Sequence, residues 1–406
     1  MSIYNNQQLH DIDKQHYLPT FGRFPITFER GKGAKLWDTD GKEYVDMLAG
    51  IAVCNVGHCH PTVVKALREQ AGKLMHISNF FLSEPQALLA KKLSEISGMD
   101  RVFFSNSGAE SAEGAIKIAR KYGHSKGKGG TVISMKNCFH GRTLATIATG
   151  KKTMQDGFEP IPQGFMQVPF NNIDALKKAL QDNNPKGGTH QISAIIVEPI
   201  QGEGGINVAD LEFLKALRQL CDDEEIVLIF DEIQSGIGRT GKWFAKDHFG
   251  VQPDIMTLAK GLGGGIPIGA ILCSEKMASV MKPGDHGTTF GGNPLVCATS
   301  LAVLEVIEEE NLLTAAKEKG AWLKKALLDM NEPSLKEVRG KGLMLGAEFD
   351  FETKPLVVEM LKNGVVANAT AGNVLRFVPA LTIGYDEMEQ AITVLKESLI
   401  NIKAHA

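Results

Sequence analysis

At 406 residues the chain is too long for one small domain and suits two lobes that share a site. With 43% hydrophobic and 22% charged residues it has the make-up of a globular protein, which excludes a disordered or collagen-like chain. The formal charge of -3, with both signs mixed along the sequence, leaves no basic footprint for nucleic acid, so small molecules are the expected partners.

The N-terminal stretch MSIYNNQQLHDIDKQHYLPTF is polar and lacks the apolar run of a secretory signal. No window reaches the roughly 18 apolar residues of a membrane span, so no membrane association is expected. Cys54, Cys59, Cys138, Cys221, Cys273 and Cys297 are scattered with no CxxC pair. That pattern suggests neither a zinc site nor a disulfide framework, and a reducing cytoplasm is the expected location. GHCHP (57–61) offers two histidines but no further ligand pattern, so it reads as a turn before a helix from Pro61 to Leu74, and no metal is expected.

From residue 101 onward short apolar runs alternate with amphipathic stretches, the pattern of a mostly parallel sheet covered by helices. RVFF (101–104), TVISM (131–135), ISAIIVEP (192–199), IVLIFDE (226–232), DIMTLAK (254–260) and IGAILCS (268–274) read as strands. Ala109 to Tyr122 and Leu211 to Asp222 read as helices, the second placing Phe213, Leu214, Leu217, Leu220 and Cys221 at helical spacing. After GGNP (291–294) the alternation gives way to a long helical stretch, Leu295 to Leu328, broken near Glu308 to Asn311. VRGKGLMLGAEF (338–349), KPLVVEMLKNGV and VLRFVPAL (374–381) then read as strand, helix, strand, which suggests a smaller α+β lobe.

In open α/β sheets ligands gather at the carboxyl ends of strands, and four polar groups follow apolar runs there. They are Ser105 to Glu110, Glu198 to Glu203, Asp231 to Gln234, and Lys260. SNSGAE leads from strand into helix, where Gly108 permits close approach of an anion and the amides of Ala109 and Glu110 lack helical partners. An ordinary turn capped by Ser107 fits the same residues. Asp231 follows five apolar residues, so its carboxylate starts buried and needs a cationic or hydrogen-bonding partner: a protonated ring nitrogen, an arginine or a helix end. Lys260, between DIMTLA and GLGGGIP, is a lysine placed to lose part of its hydration, which lowers its pKa and makes it a nucleophilic amine, although most lysines are plain surface charges. EIQSGIGRTG and GLGGGIP are glycine-rich without the spacing of a nucleotide-binding loop.

Taken together these segments resemble the class-III (ornithine and acetylornithine) aminotransferases, a pyridoxal-phosphate family. The matching blocks run in order from ERGKGAKLWDTDGKEYVD (29–46) through GIAVCNVGHCHP, FFSNSGAE, FHGRT, VEPIQGEGG, FDEIQSGIGRTG, LAKGLGGGIPIGA and HGTTFGGNPL to VRGKGLMLGAE and LRFVPAL. The resemblance implies the α/β architecture of PLP fold type I: a large domain with a mostly parallel seven-stranded sheet covered by helices, plus a smaller α+β domain. By it, residues 1–60 form an N-terminal segment packing with the small domain, 61–294 the large cofactor-binding domain, and 295–406 the small domain.

The resemblance also implies roles. Lys260 would carry pyridoxal 5′-phosphate and Asp231 would pair with its ring nitrogen. Ser107, Gly108 and Ala109 would hold the phosphate, completed by Thr289 of the partner subunit, which makes a homodimer with shared sites the expectation. Phe139 would stack on the ring, Gln234 would reach its phenolic oxygen, and His140 and Glu198 would belong to the same shell. The implied reaction is a ping-pong transfer of an ω-amine to 2-oxoglutarate, which becomes glutamate.

For substrate, the counterpart of Arg142 grips the α-carboxylate of acetylornithine and Thr288 of the partner subunit touches the same ligand. Arg376 would take the carboxylate of 2-oxoglutarate and pair with Glu203 when an amine donor is present. Ile51 stands where ornithine aminotransferases carry a tyrosine, which favours an acylated donor over a free α-ammonium. Phe21 replaces a tyrosine usual in the acetylornithine enzymes and leaves fine specificity open. Succinylornithine, N-succinyl-diaminopimelate, ornithine and 4-aminobutyrate remain alternative donors, and the pathway stays open among arginine synthesis, arginine breakdown and lysine synthesis. A glutamate-semialdehyde aminomutase fits less well with Arg142 and Ile51, and a non-catalytic relative would be expected to have lost Lys260 or Asp231.

Overall fold

The computed structural model describes residues 4–183 and 191–404. The six expected apolar runs are strands, and Phe165–Val168 adds a seventh at one edge. In space the order is Arg101–Ser105, Gly269–Cys273, Ile255–Leu258, Val227–Asp231, Ile192–Val197, Thr131–Met135, Phe165–Val168. Only Gly269–Cys273 runs against its neighbours. The edge strand FMQV is short and half-buried, so its apolar signal was too weak to mark it in the sequence.

Strand periodicity divides the sheet residues between two cores, because successive side chains point to opposite faces. Ile195, Val197, Leu228 and Phe230 pack with the helix Leu211–Asp223 on one side. Ala194, Ile196, Val227 and Ile229 pack with Ala115, Ile116 and Ala119 of the helix Gly108–Ser125 on the other. Both faces are covered, which is why these strands read as unbroken apolar runs.

The helical stretch after GGNP is two helices, Pro294–Glu309 and Leu312–Leu328, separated where Asn311 adopts a left-handed φ of 50°. The first packs on Pro61–Ala71 and Glu84–Ser97; the second lies against the sheet of the C-terminal lobe. The helix that begins at Pro61 ends at Ala71 rather than Leu74.

VRGKGLMLGAEF is not one strand but a hairpin, Leu335–Lys341 and Met344–Phe349, turning at Gly342 with φ 53°. A glycine in the left-handed region between two apolar runs is the hairpin signal that a single-strand reading passes over. The hairpin forms an antiparallel sheet with Val374–Phe377 and Asn368–Thr370. The N-terminal strands Phe28–Lys32, Lys35–Asp38 and Glu43–Asp46 continue into Val365–Val366, so the two ends of the chain share a sheet. Among the described residues no helix is long and apolar enough to cross a membrane.

Candidate active site

The carboxyl ends of the parallel strands open into a cavity of about 410 Å3. All four polar groups expected at strand ends contribute to its wall: Ser107, Gly108 and Ala109; Glu198 and Glu203; Asp231 and Gln234; and Lys260. Phe139, His140 and Arg142, from the loop after Thr131–Met135, complete that set.

Lys260 stands two residues past the strand Ile255–Leu258 and opens a short 3-10 turn, with φ 43° in the left-handed region. A non-glycine residue there costs about 1–3 kcal/mol, a strain that collects at functional positions. Its ammonium donates to no other described residue. Burial lowers its pKa, opposed by Glu203 and assisted by the Arg376 cation. The result is a free amine held closer to its nucleophilic form than an ordinary lysine.

Asp231 ends the fully buried strand Val227–Asp231. Its partner is neither an arginine nor a helix end: His140 Nδ1 donates to Oδ2 at 2.6 Å, and the Ile233 amide donates to Oδ1 at 3.0 Å. Burial opposes charge on His140, but Cys138 and Asp231 outweigh it and hold the imidazole pKa well above its ordinary value. The far nitrogen, Nε2, is buried with no partner among the described residues. Glu198 accepts the amides of Phe139 at 3.1 Å and Gly202 at 3.0 Å. Burial pushes its carboxyl up to about 7, with the His140 charge pulling the other way.

The helix Gly108–Ser125 points its N-terminus at the cavity, capped by Ser107. The Ser107 hydroxyl accepts the Glu110 amide at 3.2 Å, so Glu110 is not one of the vacant donors the sequence suggested. Gly108 and Ala109 are the amides left without acceptors among the described residues, as the first residues of a helix must be. Gly141, at φ 141°, lets the FHGRT loop close on that turn, since a Cβ there would lie 2.8 Å from the Ala109 side chain. Arg142 sits 5.5 Å from the Phe139 ring centroid and has no hydrogen-bonding partner among the described residues.

Arg376, with only 1% of its side chain exposed, reaches the site from the strand Val374–Phe377. Nη1 pairs with Glu203 and donates to Gln234 Oε1 at 3.2 Å. Burial raises the Glu203 pKa, but Arg376 more than reverses this and holds it below the usual carboxylate value. Gln234 therefore faces this ion pair as well as the cavity.

Four expected residues stand apart. Thr288 is absent from the cavity wall, but its hydroxyl accepts from Nδ2 of Asn106, which lines it, at 3.2 Å. Thr289 and Phe21 are exposed, and neither lines the cavity. Ile51 is also absent from the wall, where its neighbour Val53 stands instead. It belongs to a left-handed turn in which Ala49, Gly50, Ile51 and Ala52 all have positive φ. Asp46 braces that turn: Oδ1 accepts the amides of Leu48 and Ala49 at 2.9 Å, and Oδ2 pairs with His58 at 2.7 Å. Val53 lines the cavity without having been singled out from the sequence, and Asn106 and Ile233, inside two of the expected groups, line it without an expected role. Ile233, an apolar residue inside the polar run that follows Asp231, is the one whose position carried a signal.

Behind Asp231, Glu232 is buried and accepts the Ala245 amide at 2.8 Å, the Lys246 amide at 2.7 Å and the Ser235 hydroxyl at 2.7 Å. Burial still wins and pushes its carboxyl from 4.5 up to about 7. A folded pKa above the unfolded one means that the group's contribution is present in full below about pH 4.5 and lost as pH rises through about 7. That loss is about 3 kcal/mol at most, taking about 1.4 kcal/mol per pKa unit. Glu232→Gln, which cannot ionise, should lose less stability than the native chain between about pH 5 and 8 in urea titrations. Equal losses would remove Glu232 as the cause.

A family model for class-III aminotransferases matches residues 18–399. The acetylornithine aminotransferase of Methanocaldococcus jannaschii is 52% identical over 398 residues, covering 97% of this chain and 98% of that one. That of Caldanaerobacter subterraneus subsp. tengcongensis is 47% identical, covering 96% and 99%. Among solved structures, the ornithine aminotransferase from Toxoplasma gondii ME49 superposes with a TM-score of 0.93 at 35% identity, covering 100% of this chain and 97% of that one. The acetylornithine aminotransferase from Elizabethkingia anophelis superposes with a TM-score of 0.86 at 33% identity, covering 98% and 100%.

Proposed function

The chain belongs to the class-III aminotransferases, and from that premise we propose that it moves the terminal amino group of N2-acetylornithine to 2-oxoglutarate, giving N-acetylglutamate 5-semialdehyde and glutamate. It is a transaminase that uses pyridoxal 5′-phosphate. The observation that carries the reading is a free, depressed-pKa amine at Lys260 in one cavity with the Asp231–His140 pair and the unengaged guanidinium of Arg142.

The residues suit that cofactor group by group. The Lys260 amine matches its aldehyde, the buried Asp231 carboxylate matches a protonated ring nitrogen, and the vacant amides of Gly108 and Ala109 match its phosphate. When bound, pyridoxal phosphate supplies an electron sink for the charge left as a proton leaves the substrate carbon. Asp231, held in place by His140 and the Ile233 amide, would keep the proton on the ring nitrogen. Lys260 Nζ, when free, would take and return the proton at the donor carbon; its lowered pKa eases both transfers. Phe139 would cover the ring, and Glu198 holds the loop that carries it through the Phe139 amide.

Arg142 takes the donor's α-carboxylate. Arg376 takes the carboxylate of 2-oxoglutarate, and Glu203 occupies it while the donor is bound. Acetylornithine is favoured over ornithine because the curated relatives reported above bear that name.

We assign a homodimer in which Thr288 and Thr289 of the partner subunit complete each site. Support comes from one exposed apolar patch: Phe80, Phe81 and Leu82 are 93%, 62% and 95% exposed, and Phe290 60%. Asn79 ties the two segments together by donating to the carbonyls of Thr288 at 3.3 Å and Gly291 at 3.1 Å. Thr289 therefore belongs to a surface that a second copy would cover. The scattered cysteines keep a reducing cytoplasm as the proposed location.

The test is an absorption spectrum of the holoenzyme, with a band near about 400 nm as the mark of lysine-held cofactor. Acetylornithine should bleach it faster than ornithine, succinylornithine or 4-aminobutyrate, and 2-oxoglutarate should restore it. A chain that shows no band after addition of the cofactor contradicts the Lys260 assignment. Bleaching by another donor alone replaces the substrate and keeps the reaction.

A further inference from the structure

The strand Asn368–Thr370 pairs antiparallel with Val374–Phe377 so that Asn368 lies directly opposite Arg376. Residues 368 and 370 project from the same face, as alternate residues of a strand do. From that face Asn368 Oδ1 accepts a hydrogen bond from Arg376 Nη2 at 2.6 Å. The Thr370 hydroxyl donates to the backbone carbonyl of Glu203 at 2.8 Å. One short strand thus braces both members of the Arg376–Glu203 pair.

The guanidinium nitrogens are unequally committed. Nη1 is shared between Glu203 and Gln234, while Nε is buried with no partner among the described residues. Nη2 belongs to Asn368 alone among the described residues. The two main acceptors also differ in kind. Glu203 stands on a loop with 35% of its side chain exposed, so it can swing away when another carboxylate arrives. Asn368 has a short side chain on a backbone ladder and stays. Its amide oxygen is neutral, so it orients the cation without cancelling the charge that an incoming carboxylate needs.

We propose that Asn368 is a positioning residue: it fixes the plane of the Arg376 guanidinium, so that a dicarboxylate 2-oxo acid displacing Glu203 meets Nη1 in place. The proposal rests on the assignment of Arg376 to the acceptor's carboxylate. It makes Asn368 a determinant of acceptor recognition alone, because the donor's carboxylate is held by Arg142 and the chemistry lies at Lys260.

The experiment uses holoenzyme, with donor and acceptor half-reactions measured separately and the binding of glutarate, an unreactive dicarboxylate, measured by calorimetry. Asn368→Ala removes the acceptor, and Asn368→Asp keeps its shape but adds a competing charge. Both should raise the KM for 2-oxoglutarate and the Kd for glutarate about tenfold or more, the worth of one hydrogen bond to a charged group. The acetylornithine half-reaction should change less than about twofold. Unchanged KM and Kd in both variants overturns the proposal. So does an equal loss in both half-reactions with a lowered Tm, which is what a merely structural role produces. A native enzyme that binds glutarate no better than butyrate overturns the Arg376 assignment itself, and the Asn368 proposal with it.

Discussion

Lys260→Ala should lose transamination by about ten-thousand-fold or more, since both covalent capture of the cofactor and proton transfer depend on one amine. The fold should survive. The ammonium makes no hydrogen bond or ion pair with other described residues, so its removal strands no partner. The backbone strain at φ 43° is the same for alanine as for lysine. A circular-dichroism melt within a few degrees of the native chain, beside the lost turnover, is the expected pair of results; normal turnover would remove Lys260 from the mechanism. The same variant tests the shared site. Mixed with Thr289→Ala subunits, it should recover activity, because each hybrid dimer keeps one site with both residues intact. No recovery would mean that each chain supplies its own site.

Arg142→Ala should weaken the donor far more than the acceptor. A charge-assisted contact to a carboxylate is worth about 1.5–3 kcal/mol, so kcat/KM for acetylornithine should fall about tenfold to a hundredfold while that for 2-oxoglutarate stays near native. The asymmetry has a structural origin. Arg142 has no hydrogen-bonding partner among the described residues and rests near the Phe139 ring, whereas Arg376 is buried and already paired with Glu203. One cation is always available, and the other is released only by exchange. Equal losses for both substrates would refute the division of labour.

Much of this site was legible from local chemistry. The unbroken apolar runs before Asp231 and Lys260 required strands buried on both faces, and the residue that follows such a strand lies at the ligand edge of a parallel sheet. Ser107 followed by a helix-forming run located the cap and the two vacant amides within one residue. The break near Asn311 was also readable, because a polar run interrupts the apolar spacing on both sides of it.

What only the tertiary structure decided are the pairings between segments far apart in sequence. That Asp231 is held by His140, 91 residues away, rather than by an arginine follows from strand order, which sets Thr131–Met135 and Val227–Asp231 on either side of Ile192–Val197. Glu203, Gln234 and Arg376 meet because the C-terminal lobe turns its sheet toward the cavity, and the missed hairpin at Gly342 is part of that sheet. Periodicity reports only whether a residue faces a core or water. Which buried charge finds which partner depends on a desolvation cost that is met only once the lobes have packed. Strands, cap and the buried amine at a strand end were therefore properties of the sequence, while the partners of each buried charge belong to the fold.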